Sequence, residues 1–144
     1  MDLDWMMLAN HAEMPPNGLL YLSGAGWDTV NVGAPPPADA PPEVVAVVQG
    51  VLVVRLRFHH TEAGSSYPLR ITIVDEDGQP IGEINGTVSA QTPGDDTPPT
   101  WPRATNVILP LNGLPLPRFG EYRINVTVNN EHKGDTPFRA VRRY

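Results

Sequence analysis

The chain has 144 residues, with 10 basic and 16 acidic side chains, a formal net charge of −6 and no cysteine. The missing thiols exclude a disulfide scaffold, thiol catalysis and thiolate metal sites. The acidic balance argues against a general binder of nucleic acid or anionic membrane, which needs basic residues to displace counterions.

Proline is the outlier. Its 17 occurrences are more than twice the usual share of about 5%. That many prolines break helices but suit the loops and strand edges of a β protein. The start, Met1-Asp2-Leu3-Asp4-Trp5, is acidic where a secretory signal carries positive charge. The longest apolar run, Val44 to Val54, is too short to span a bilayer. The expectation is a soluble, cytoplasmic, single domain over residues 1–144. Heavy use of Arg, Pro, Ala and Val, with Lys133 as the lone lysine, is typical of GC-rich bacterial genomes.

In chain order, residues 3–9 alternate Leu3, Trp5 and Met7 against Asp2 and Asp4 and predict an edge strand. A Pro-Pro-Asn-Gly turn at 15–18 leads to a strand at 19–23. Gly24 and Gly26 then precede a short strand through Trp27, Val30 and Val32. Residues 33–43 form a proline-rich connector. Seven of the eleven residues from Val44 to Val54 are valine, which favours a pleated strand. From there Leu52, Val54, Leu56 and Phe58 alternate with Val53, Arg55, Arg57 and His59, so 44–60 reads as one long central strand. Residues 68–74 predict another strand, Asp75 to Pro80 a hairpin loop with Gly78 at positive φ, and 81–90 the returning strand. A second proline-rich loop spans 91–104. Residues 105–111 predict an edge or bulged strand because of Pro110. In 120–130, Tyr122, Ile124, Val126 and Val128 face inward; a turn over 129–134 and a strand over 136–141 follow. No helical period is sustained. The fold class is all-β: an antiparallel β-sandwich of about 7–9 strands.

Two resemblances follow from particular residues. Gly120-Glu121-Tyr122-Arg123-Ile124 resembles the sixth strand of an immunoglobulin-like sandwich, where such a tyrosine forms a corner; Leu69 to Gly78 resembles a C2-like sandwich. Leu3, Trp5 to Asn10, Ala12-Glu13, Ser23 to Trp27 and Asp75 to Gly78 together resemble a family of uncharacterised, mainly actinobacterial small β proteins. That resemblance implies an all-β fold and no particular activity.

Candidate chemistry is sparse. Asp75 and Asp77 share one side of a loop, and Asp28, Asp95 and Asp96 lie in others, as a calcium site at one sandwich end requires; the competing reading is a plain hairpin turn. His59 and His60, adjacent in a strand, point to opposite faces and cannot share an ion. There is no Gly-x-Ser-x-Gly elbow and no phosphate loop, so no enzyme and no cofactor are expected. Arg55, Arg57, Arg70 and Arg123 sit on polar strand faces and form either an anion-binding stripe or ordinary cross-strand ion pairs. Asn85-Gly86-Thr87 and Asn125-Val126-Thr127 match the glycosylation pattern and read as strand residues. Trp101, in Pro98-Pro99-Thr100-Trp101-Pro102, and Trp27, after a glycine-rich turn, are candidates for presenting an aromatic to a partner; the alternative is that both cap the core. The favoured expectation is a non-catalytic binding or scaffold module acting through loops or a sheet edge on another protein or a second copy. The alternative is a calcium- or carbohydrate-binding domain.

Overall fold

The computed structural model describes residues 1–90, 98 and 100–144. Its strands in chain order are β1 (Asp2–Ala9), β2 (His11–Glu13), β3 (Tyr21–Ser23), β4 (Thr29–Val32), β5 (Ala46–Val47), β6 (Val51–Phe58), β7 (Ser66–Asp75), β8 (Pro80–Ser89), β9 (Arg103–Pro110), β10 (Pro115–Leu116), β11 (Gly120–Val128) and β12 (Glu131–Arg142). A 3₁₀ turn at His60–Glu62 is the one helical element among the described residues, so none there is long and apolar enough to cross a membrane.

Two sheets carry the fold. One has the order β1-β6-β9, the other β4-β12-β11-β7-β8, with β5-β10 and β2-β3 as small accessory pairs. The main core lies between them. Leu52, Val54, Leu56 and Phe58 of β6 meet Ile71 and Ile73 of β7, Tyr122, Ile124, Val126 and Val128 of β11, and Phe138 of β12. Burying each of these side chains is worth about 1.5–3 kcal/mol of transfer free energy. A second cluster of Ala9, Val51 and Val53, with Trp5, Leu20, Leu22 and Ile108 packed against it, covers the outer face of the smaller sheet. The β2–β3 hairpin supplies Ala12 and Leu22 to that cover.

Four expectations need correction. The Val44–His60 run is two strands, because Gly50 breaks it at φ 151°. A Cβ there would sit 2.6 Å from the Ala9 carbonyl oxygen. Leu3 and Trp5 do not share a face: a bulge at Asp4 shifts the β1–β6 register between them and sends Leu3 to the main core and Trp5 to the outer cluster. The sheet is not wholly antiparallel, since β4 runs parallel to β12. Finally, the 129–134 turn contracts to Asn129 and Asn130, both at positive φ (53° and 64°), as a two-residue hairpin connection requires; β12 begins at once. The central position of β6, the β7–β8 hairpin at Asp75 to Pro80 and the edge position of β9, which holds Pro110, follow the expected pattern.

Candidate functional site

Trp101 sits on a turn that closes onto the start of β9. The Trp101 backbone N–H donates to the Pro98 carbonyl at 3.1 Å. The Arg103 guanidinium then ties the turn from beneath: one terminal nitrogen donates to the Trp101 carbonyl at 2.8 Å and the other to the Pro98 carbonyl at 3.3 Å. Arg103 is itself half-buried and paired with Phe58 of β6. The side chain of Trp101 is left 59% exposed, level with Leu19 as the most exposed large apolar residue among those described. The sequence singled out Trp101 but missed Arg103, whose role depends on two carbonyls that no motif encodes.

Trp27 behaves differently. It is half-buried, packs against the main core, and has its indole N–H buried without a hydrogen-bond partner. Around it opens a groove of about 610 Å³ whose walls include Asn10, Gly24, Gly26, Thr29, Asn31, Val47 and Gln49. Gly24 and Gly26 take positive φ (60° and 87°), and the loop is pinned to the end of β1 by the Gly26 N–H donating to the Leu8 carbonyl at 2.7 Å. None of the lining residues carries a titratable side chain.

The four arginines divide between the sheets and form no common stripe. Arg55 and Arg57 both bond to the bulged Asp4, at 3.3 Å and 2.8 Å; Arg57 and then Arg55 hold that carboxyl below the usual carboxylate range. Arg70 approaches Glu83 at 3.8 Å and Arg123 pairs with Asp135 at 2.9 Å. These are the cross-strand ion pairs that the second sequence reading describes.

Asp75 and Asp77 do share one side of their loop, but they share it with Arg118, whose guanidinium reaches them at 2.7 Å and 2.8 Å. The other Asp75 oxygen accepts the backbone N–H of Asp77 and of Gln79. Arg118 and these backbone donors hold the Asp75 carboxyl low. Asp95 and Asp96 lie outside the described residues. His59 and His60 fall beyond the end of β6, in and before the 3₁₀ turn, so their rings pack at 4.1 Å instead of facing apart. No group of three or more His, Asp or Glu side chains among the described residues is placed to hold a metal ion. Asn85 and Asn125 lie within β8 and β11.

The model of a family of unknown function, DUF6941, matches residues 4–141. The chain belongs to that family. The match takes in the Trp27 loop, the acidic hairpin and the Trp101 turn together. No curated protein matches the chain. Among solved structures, a glycosyl hydrolase family 2 member from Bacteroides cellulosilyticus is similar at 11% identity and a TM-score of 0.37. The likeness covers 62% of this chain and 12% of that enzyme, a degree of similarity that carries no argument about function.

Proposed function

We propose that the chain is a non-catalytic binding module that engages a protein partner through Trp101. The observation that supports this reading is a large aromatic, 59% exposed, on a turn fixed by three hydrogen bonds. Tryptophan, with tyrosine and arginine, is enriched at the energetic centre of protein interfaces. Fixing it before association lowers the ordering cost of binding. A tryptophan needed only for packing would turn inward, as Trp27 does. Its neighbours Pro102 and Thr100 are exposed too, so the indole stands within an accessible stretch of chain.

The test is affinity capture from lysate of the encoding organism, comparing wild type with Trp101→Ala. A protein retained by wild type and lost by the variant supports the reading. A partner retained equally by both, or none in repeated captures, overturns it.

A further inference from the structure

The groove beside Trp27 lies along a sheet edge that is unpaired among the described residues. Strand β4 ends the larger sheet and bonds to β12 on one side. In that parallel ladder the Arg139 N–H donates to the Asp28 carbonyl and the Arg143 N–H to the Val32 carbonyl, each at 2.9 Å. Backbone groups alternate sides along a strand, so the even-numbered residues of this segment are spent on β12. Thr29 and Asn31 turn their N–H and C=O the other way, and both line the groove.

Across the groove stands the accessory strand β5. Its ladder partner among the described residues is β10, and the pairing runs on past both strand ends: the Val48 N–H donates to the Leu114 carbonyl, and the Val48 carbonyl accepts from the Gly113 N–H, both at 3.0 Å. Val47, the neighbouring residue, is 40% exposed and lines the groove with Gln49. Two strand edges, one from the larger sheet and one from the accessory β5-β10 pair, therefore border the same opening.

We propose that this groove receives an extended, uncharged polypeptide segment that adds to β4 as a further strand of the larger sheet. The free groups of Thr29 and Asn31 recur two residues apart, about 6.6 Å, which is the repeat of a β-strand. Main-chain pairing of this kind supplies affinity while side-chain pockets supply selectivity. Here the pockets are amide-lined, by Asn10, Asn31 and Gln49, with apolar contact from Trp27 and Val47. A charged side chain entering them would lose water with no counterion in the lining to replace it, which selects polar uncharged or small apolar residues. The guanidiniums of Arg139 and Arg143 donate their Nε–H to Thr29 Oγ1 and Asn31 Oδ1, at 3.3 Å and 3.0 Å, but are not part of the groove's lining; their charge adds to the exclusion of basic side chains. A volume of about 610 Å³ is within the usual range of ligand sites. A bare edge of four residues would be protected by its shortness alone; the concave, amide-lined wall beside it is what shortness does not account for. The inference does not rest on Trp101, which lies on another loop.

The decisive variant is Asn31→Pro, which removes an outward N–H that β12 does not use and, with it, the side-chain amide that accepts from Arg143. An array of short uncharged peptides, with proline-interrupted and glutamate- or lysine-substituted copies, is probed with both proteins beside an array of neutral oligosaccharides. The expected result is retention of a subset of uninterrupted, uncharged peptides, weakened at least about tenfold by Asn31→Pro through the lost bond and the carbonyl left unpaired. Those peptides should slow hydrogen exchange at the Thr29 and Asn31 amides. An unchanged melting temperature for the variant shows that the fold survives. Equal retention by the variant, exchange slowed elsewhere, or retention of oligosaccharides in place of peptides overturns the proposal.

Discussion

The hydroxyl of Tyr122 donates to the carbonyl of Arg118 at 2.5 Å, and the Arg118 N–H donates back to the same oxygen at 3.2 Å. The ring below is 2% exposed and stacks on Phe138 with centroids 5.3 Å apart. One side chain thus anchors the approach to β11 and fills the core, and burial pushes its hydroxyl pKa up. Tyr122→Phe keeps the stacking and removes both bonds. It should cost about 1–2 kcal/mol, read as a lowered urea midpoint at unchanged slope. A loss below about 0.3 kcal/mol would mean that the anchoring bonds are not stabilising.

Gly50→Ala should cost more. The added methyl meets the Ala9 carbonyl oxygen at 2.6 Å and a Trp27 ring carbon at 3.1 Å, on a backbone at φ 151°. Strain at such a site is of order 1–3 kcal/mol. Thermal unfolding of the variant checks it, and an unchanged midpoint would show that the break between β5 and β6 relaxes freely.

The two tryptophans should separate by stability. Trp27→Ala removes a side chain packed on the core and should cost about 3 kcal/mol or more. Trp101→Ala removes an exposed one and should stay within about 0.5 kcal/mol. Equal losses would contradict the division between a packing and a presenting tryptophan.

Acid should destabilise the fold through Asp4 and Asp75. Arg57 beside Asp4, and Arg118 beside Asp75, lower these carboxyls in the folded chain, whereas unfolded aspartate titrates near about 3.9. The folded state therefore binds fewer protons. The stabilisation is complete above the unfolded pKa and is lost as pH falls through the lowered folded value. Melting curves of wild type and of an Asp4→Asn, Asp75→Asn double variant should converge as pH drops below about 4. Parallel curves would contradict this.

Calcium should leave the melting temperature of the wild type unchanged, because Arg118 already occupies the side of the loop shared by Asp75 and Asp77. A calcium-dependent rise would revive the acidic-loop site.

Where alternation was clean, as in Leu52 to Phe58 and Tyr122 to Val128, period and face could be read directly from the sequence, because each inward side chain has one face to occupy. Interruptions were harder to see. The bulged Asp4 is held by two arginines 51 and 53 residues away in the chain, and the Gly50 break abuts the Ala9 carbonyl of another strand. The site was legible in its aromatics but not in its geometry. Trp101 and Trp27 looked alike beside their prolines and glycines, and only the Arg103 clamp and the core contacts tell them apart. The place of β4 at the edge of the described sheet depends on a parallel pairing with a strand more than a hundred residues later, which no local pattern records.

The central claim is that Trp101 touches a partner. A photo-crosslinking amino acid placed at position 101, activated in cells of the encoding organism, tests it most directly, with Arg70 on the exposed face of β7 as the control position. The account predicts a discrete adduct from position 101 and none from position 70. Adducts from position 70 alone, or from neither position, would contradict it.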